Sequence, residues 1–268
     1  MARGNGKRGA RNSREMKRSG VLLEQMGQHQ NDPNVRREKR RNWQQNECQG
    51  LFDFKPTEWQ EEFLDVIENH KITLCDSVAG VGKSATALYY ACREYLTDPT
   101  KKIVFVRTPA EVGFDRLGFL PGEANMQDKL GPHFESTKVL IEQFIGKAKF
   151  EADLNKRILL TVPNFCLGAT RENCIYLLDE IQLLQPLILK LLLERIGKDT
   201  KTIVMGSSGQ LYADAKGRNA MRDARKRFFN EDGSKKYNDI GFYKFPVEAV
   251  MRDSVVMDVI RAYEDENA

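Results

Sequence analysis

The sequence predicts an α/β fold: a mostly parallel sheet with helices on both faces, in a single lobe, preceded by a flexible basic N-terminal tail. Three observations predict it. From residue 51 onward, apolar runs of strand length alternate with helical patterns. A glycine-rich loop joins the first of those strands to a long helix. A later apolar strand ends in Asp179-Glu180. Strands that are apolar without alternation belong to a sheet covered on both sides. Alternating β and α units close into parallel sheets with right-handed crossovers.

Taken in chain order, residues 1–12 are Gly, Arg and Asn with almost nothing apolar. They cannot bury enough surface to offset ordering entropy, so disorder is expected there. Residues 13–49 fit broken helix, interrupted near Asp32-Pro33. The first 50 residues carry twelve Lys+Arg against five Asp+Glu, and the other 218 are net negative, although the whole chain is +4. The run Arg36-Arg37-Glu38-Lys39-Arg40-Arg41 ends beside Trp43. A basic arm with an aromatic suits nucleic-acid phosphate and a stacked base. A solvated, solubilising tail is the competing reading.

Strands are expected at Ile72–Cys75, Ile103–Val106, Ile158–Val162, Cys174–Leu178 and Thr202–Met205. Helices are expected near 57–69, 82–96, 136–152, 184–196 and 248–263. The stretch 107–157, punctuated by Gly113, Gly118, Pro121, Gly122, Gly131 and Pro132, reads as an elaborate crossover or insertion with one helix inside it. Residues 230–241 read as a surface loop. Leu183–Ile196 is apolar, but it is short and holds Lys190, Glu194 and Arg195, so it reads as a buried helix rather than a membrane span. The expected division is a tail over 1–50 and one domain over 51–268.

Composition excludes several classes. At 41% hydrophobic and 30% charged residues, the chain is expected to be a soluble, folded protein. It has no run of ~18 apolar residues and no apolar segment behind its basic start, so neither a spanning helix nor a secretory signal is expected. Its 268 residues do not comfortably hold two helicase lobes. The five cysteines, Cys48, Cys75, Cys92, Cys166 and Cys174, form no C-x-x-C pair. That points to a reducing compartment, here the cytoplasm, and away from disulfides and zinc.

The strongest local signal is Ser77-Val78-Ala79-Gly80-Val81-Gly82-Lys83-Ser84, followed by Ala85, directly after a strand and before a helix. This is the context of a Walker A phosphate loop. Gly80 and Gly82 let the backbone wrap closely around an anion, and the helix N-terminus adds unpaired N–H groups. Lys83 can reach the β- and γ-phosphates of ATP, and the Ser84 hydroxyl can ligate Mg²⁺. Ser77 stands where the strict pattern has Gly, which is tolerable if its φ is negative.

Cys174-Ile175-Tyr176-Leu177-Leu178-Asp179-Glu180-Ile181-Gln182 is a Walker B element. Carboxyl ends of parallel strands line the ligand crevice, so Asp179 belongs near the Ser84-bound metal, and Glu180 can orient or deprotonate a water. Beyond the strand ending in Gly206-Ser207, Gln210 can sense a γ-phosphate or simply sit in a polar turn. Gln60 either reads an adenine edge or closes a capping box with Thr57.

These residues resemble a known family. The chain, from about residue 55 to about 263, looks like a PhoH-like (phosphate starvation-inducible) P-loop ATPase, related to superfamily 1 helicase cores. The resemblance rests on Ala79-Gly80-Val81-Gly82-Lys83-Ser84, Arg107-Thr108-Pro109-Ala110 and Leu117-Gly118-Phe119-Leu120-Pro121-Gly122. Asp179-Glu180-x-Gln182, Arg195-Ile196-Gly197 and Arg252 complete it. It implies a RecA-like fold, ATP with Mg²⁺, a ring-forming homo-oligomer such as a hexamer, and a link to RNA. The chain departs from the family where Gly206-Ser207 replaces Gly-Asp, where Arg107-Thr108 permutes Thr-Arg, and at Ser77.

A single lobe lacks the arginine that a second lobe brings to an ATP site. Arg195 and Arg252 are the candidates, Arg252 preferred because it opens the expected C-terminal helix; surface ion pairs are the alternative. The leading expectation is an ATPase acting with RNA or single-stranded nucleic acid. A nucleotide-gated binding module with little turnover, and a small-molecule kinase, are the alternatives.

Overall fold

A computed structural model describes residues 49–109, 126–209 and 219–264. The expectations for the tail up to Cys48, for Leu117-Gly118-Phe119-Leu120-Pro121-Gly122 and for Gln210 lie outside the described residues. The described elements are α1 (Gln49–Asp53), α2 (Glu58–Asn69), β1 (Ile72–Asp76), α3 (Lys83–Thr97), β2 (Lys102–Arg107), α4 (Met126–Ile145), α5 (Lys147–Asp153) and β3 (Ile158–Thr161). They continue with β4 (Cys174–Asp179), α6 (Pro186–Leu193), β5 (Lys201–Gly206), α7 (Ala220–Phe228), β6 (Ile240–Tyr243) and α8 (Ser254–Glu264).

The six strands form one all-parallel sheet in the order β3-β2-β4-β5-β1-β6. The apolar runs have the cause inferred from sequence, which is burial on both faces. In β2, Ile103 and Phe105 join one core layer, and Val104 and Val106 the other. The first layer packs α2, α3 and α4 on the sheet through Phe63, Ile67, Leu88, Tyr95, Ile141 and Phe144. The second packs α6 and α7 through Leu189, Leu192, Met221 and Ala224. Chain order and sheet order differ in one way that matters for the site: β5 runs between β1 and β4. The end of β5 therefore stands between the two motif-bearing strand ends.

Several expectations are corrected. The expected helix 136–152 is two helices, α4 and α5, parted at Gly146, whose φ of 85° is left-handed. The expected helix 184–196 is only α6, Pro186–Leu193, with Pro186 at the first helical turn where its missing N–H costs nothing, and a 3₁₀ turn, Ile181–Leu183, lies ahead of it. The expected C-terminal helix 248–263 is a 3₁₀ turn, Val247–Ala249, then non-helical residues, then α8. Arg252 thus precedes the helix rather than opening it. The loop reading of 230–241 holds only to residue 239, because β6 starts at Ile240. Strand β6 and helix α7 were not anticipated.

Candidate active site

The loop from Ser77 to Gly82 leaves β1 at its carboxyl end and turns into α3. Gly80 and Gly82 have φ of 89° and 81°, the left-handed region that favours glycine. Ser77 is outside the left-handed region, so it needs no glycine. Ser77 is also anchored: its N–H donates to the Gly206 carbonyl at 3.0 Å, and its Oγ accepts from the Phe245 N–H at 2.8 Å. Val81 is buried in the core, Val78 packs partly against it, and Ala79 and Ala85 are half-buried. The Lys83 ammonium, almost fully buried, donates to the Ser77 and Val78 carbonyls at 3.3 and 3.2 Å.

Asp179 ends β4, and the Ser84 hydroxyl donates to its two carboxylate oxygens at 3.3 and 3.4 Å. Burial, and then the neighbouring Glu180 charge, push the Asp179 carboxyl up to about 6, against the pull of Arg107 and Lys83. Glu180 itself is in the left-handed region, φ 56° and ψ 38°. A non-glycine residue held there costs of order 1 kcal/mol and marks a position where the fold dictates the backbone. That twist turns its carboxylate toward Gln182, whose Nε2 donates to Oε2 at 2.6 Å, and toward Arg107 Nη2 at 3.9 Å from Oε1. Gln182 Oε1 in turn accepts from the Ser207 N–H at 3.3 Å. A Cβ on Gly206 would stand 2.7 Å from that same oxygen, so the glycine is required by the approach of Gln182.

The flanking candidates fall in different places. Gln60 Oε1 accepts from the Thr57 N–H at 3.0 Å, completing the capping box that begins α2. Its Nε2 donates to Met251 Sδ at 3.4 Å and would be 2.5 Å from a Cβ on Gly82. The cap uses the Gln60 oxygen, while the Gln60 amide nitrogen lies against the loop. The Met251 N–H donates to the Gly80 carbonyl at 3.0 Å. The Arg252 side chain lies over the loop, with Cδ, Cγ and Nε 3.1–3.2 Å from where a Gly80 Cβ would be. Arg252 therefore reaches its own chain's loop.

Arg195 does not. It follows α6, and its carbonyl accepts from the Arg171 N–H, just ahead of β4. That is the opposite end of the strands from Asp179. Sequence reasoning assigned no role to Arg107, to the Gln182 bridge or to Asp76. Gln182 was legible as part of the Asp-Glu-x-Gln string, whereas the other two depend on partners far along the chain.

Among the described residues, no group of three or more His, Cys, Asp or Glu side chains converges on a metal position. One buried carboxylate and one hydroxyl facing each other are nevertheless the donor set that Mg²⁺ takes from proteins when phosphates and water complete its shell. The residues present fit that ion. No described helix is long and apolar enough to cross a membrane.

A family model described as PhoH-like protein matches residues 55–264. A PhoH-like protein of Synechocystis is 28% identical over 207 residues, 76% of this chain and 60% of the relative. A PhoH-like protein of Bacillus subtilis is 25% identical, covering 78% of this chain and 63% of the relative. Protein PhoH of Escherichia coli K12 is 25% identical, covering 77% and 56%. The chain thus spans about three fifths of the length of these relatives.

Proposed function

This chain belongs to the PhoH-like protein family, whose P-loop core supports nucleotide binding, and from that premise we propose that it is an ATPase. It binds ATP with Mg²⁺ at the loop Ser77–Ser84 and hydrolyses it, in concert with RNA or single-stranded nucleic acid. The observation that carries the reading is Ser84 Oγ facing both oxygens of the buried Asp179, beside the Lys83 ammonium. Walker-type sites need those three groups together. Bound Mg²⁺ would neutralise charge on the phosphate oxygens. The chain's own residues do the rest. The loop amides and Lys83 hold the triphosphate, and Glu180, 30% exposed in its side chain, accepts a proton from the attacking water. Gln182 keeps Glu180 from swinging away, and Arg252 supplies a cation beside the loop.

The basic tail, Arg36 to Arg41 beside Trp43, is the proposed grip on the nucleic-acid strand. The proposed assembly is a homo-oligomer. Arg195, at the far end of the sheet from its own loop, acts in hydrolysis only if it reaches the site of a neighbouring copy. The test is phosphate release with and without single-stranded RNA, in the parent chain and in Lys83→Ala. The proposal expects turnover that Lys83→Ala abolishes; turnover that persists in that variant, or ATP binding with no phosphate release in the parent chain, refutes the hydrolytic reading.

A further inference from the structure

Asp76 is the last residue of β1, one position before the phosphate loop, and it is 2% exposed. It pairs in register with Gly206 of β5. Its Oδ1 accepts from the Ser208 N–H at 2.7 Å. Its Oδ2 is buried without a hydrogen-bond partner among the described residues, and Arg225 Nη1 of α7 stands 3.9 Å away. Burying a carboxylate is costly, so the groups its charge acts on carry information.

The charge acts on one short turn. Ser208 is held by Asp76 through its N–H and by Asn219 Nδ2 and Arg222 Nη2 through its carbonyl, the latter two both at 3.2 Å. Asn219 Nδ2 also donates to the Ser207 carbonyl at 3.2 Å. The Ser207 N–H is the donor that steadies Gln182 Oε1, and Gln182 Nε2 is the donor that steadies Glu180. A continuous set of hydrogen bonds therefore runs from Asp76, across the end of β5, to the carboxylate proposed to take the water's proton.

We infer that Asp76 is a positioning residue for hydrolysis: by fixing the turn at Ser207-Ser208 it sets Gln182, and through Gln182 it sets Glu180. The inference rests on the ATPase reading given above. A carboxylate is needed because both of its neighbours are donors or cations, the Ser208 N–H on one oxygen and the Arg225 guanidinium beside the other. An asparagine amide has a single oxygen. It satisfies one neighbour and presents its own N–H groups to the other. Asp76→Asn keeps the shape but removes the charge, so the Ser208 N–H and the Arg225 guanidinium are no longer both held.

The experiment measures kcat and KM for ATP, nucleotide Kd and thermal stability in four full-length proteins: the parent chain, Asp76→Asn, Gln182→Ala and the double variant. The expected result is a fall in kcat of about tenfold in Asp76→Asn, with KM and Kd within about twofold. The double variant is expected to be no slower than the slower single one, because both changes act along one path. If Asp76→Asn does not fold, Asp76→Ser enters the same cycle. Unchanged kcat, parallel losses in kcat and nucleotide affinity, or additive effects in the double variant overturn the inference while leaving the ATPase reading intact. A parent chain that releases no phosphate refutes the ATPase reading and this inference with it.

Discussion

Asp179 gives the most quantitative prediction. Its folded carboxyl is pushed from the usual 3.8 to about 6, first by burial and next by Glu180. The unfolded chain gives up this proton near pH 3.8 and the folded chain only near pH 6, so between those values the folded state binds more protons. Stability from this group is therefore fully present below pH 3.8, falls as pH rises to 6, and stays low above. A shift of about two units is worth roughly 3 kcal/mol, on the order of 10 °C in Tm for a domain of this size. Asp179→Asn removes the charge while keeping an oxygen to accept from Ser84. Unfolding of nucleotide-free protein in EDTA, at about pH 3.5, below the unfolded value, and at about pH 8, above the folded one, reads the effect. The variant is expected to be more stable than the parent at the higher pH and close to it at the lower, and to lose stabilisation by Mg²⁺-ATP. A variant that is less stable than the parent at the higher pH would refute the claim that this carboxylate is a desolvated charge kept for a ligand.

Two further outcomes are expected. Arg252→Ala should lower turnover by about tenfold or more, as expected for a cation acting on transition-state charge, while nucleotide Kd changes by less than about threefold; equal losses in both, read by phosphate release and nucleotide titration, would assign Arg252 to ground-state binding. Removing residues 1–48, a cut that spares Gly50 where it packs on the Gln143 carbonyl, should weaken RNA binding. It should also flatten its salt dependence, by roughly 0.7 in log–log slope for each phosphate that the tail neutralises; an unchanged slope would make the tail a solubility device.

What was legible in the sequence was what is local or strongly periodic. The phosphate loop and the Asp179-Glu180 strand each lie within nine residues, and five strands announce themselves as unbroken apolar runs. β6 did not, because it is four residues long, follows a polar loop and buries only Ile240 and Gly241 fully. Gly241 is there because His70 packs where its Cβ would be, 2.5 Å from Nδ1, a contact no local pattern reveals. α7 was hidden by composition. In Ala-Met-Arg-Asp-Ala-Arg-Lys-Arg-Phe only Ala220, Met221 and Ala224 are buried, so its apolar stripe is too thin to read. Asp76 was passed over for a different reason. Its partner Ser208 is 132 residues away, and only the register of β1 on β5 brings them together.

The departure at Ser77 changes meaning once the fold is seen. Against the strict loop pattern, a serine in place of glycine reads as a loss. In the fold its backbone never enters the region that requires glycine, and its hydroxyl does something glycine cannot: it accepts the Phe245 N–H. That bond fastens the start of the phosphate loop to the chain leaving β6. Further along, the same chain meets the loop again, as the Met251 N–H donates to the Gly80 carbonyl and Arg252 lies across Gly80. The loop is thus clamped at its first and fourth positions by one segment that also carries the candidate cation. A loop held in this way is preorganised for an anion, and preorganised donors and charges lower a barrier because they need no reorganisation at the moment of reaction. Ser77 and Arg252 are two ends of one device, which is why Arg252 reaches the site within its own chain although it precedes the helix it was expected to open.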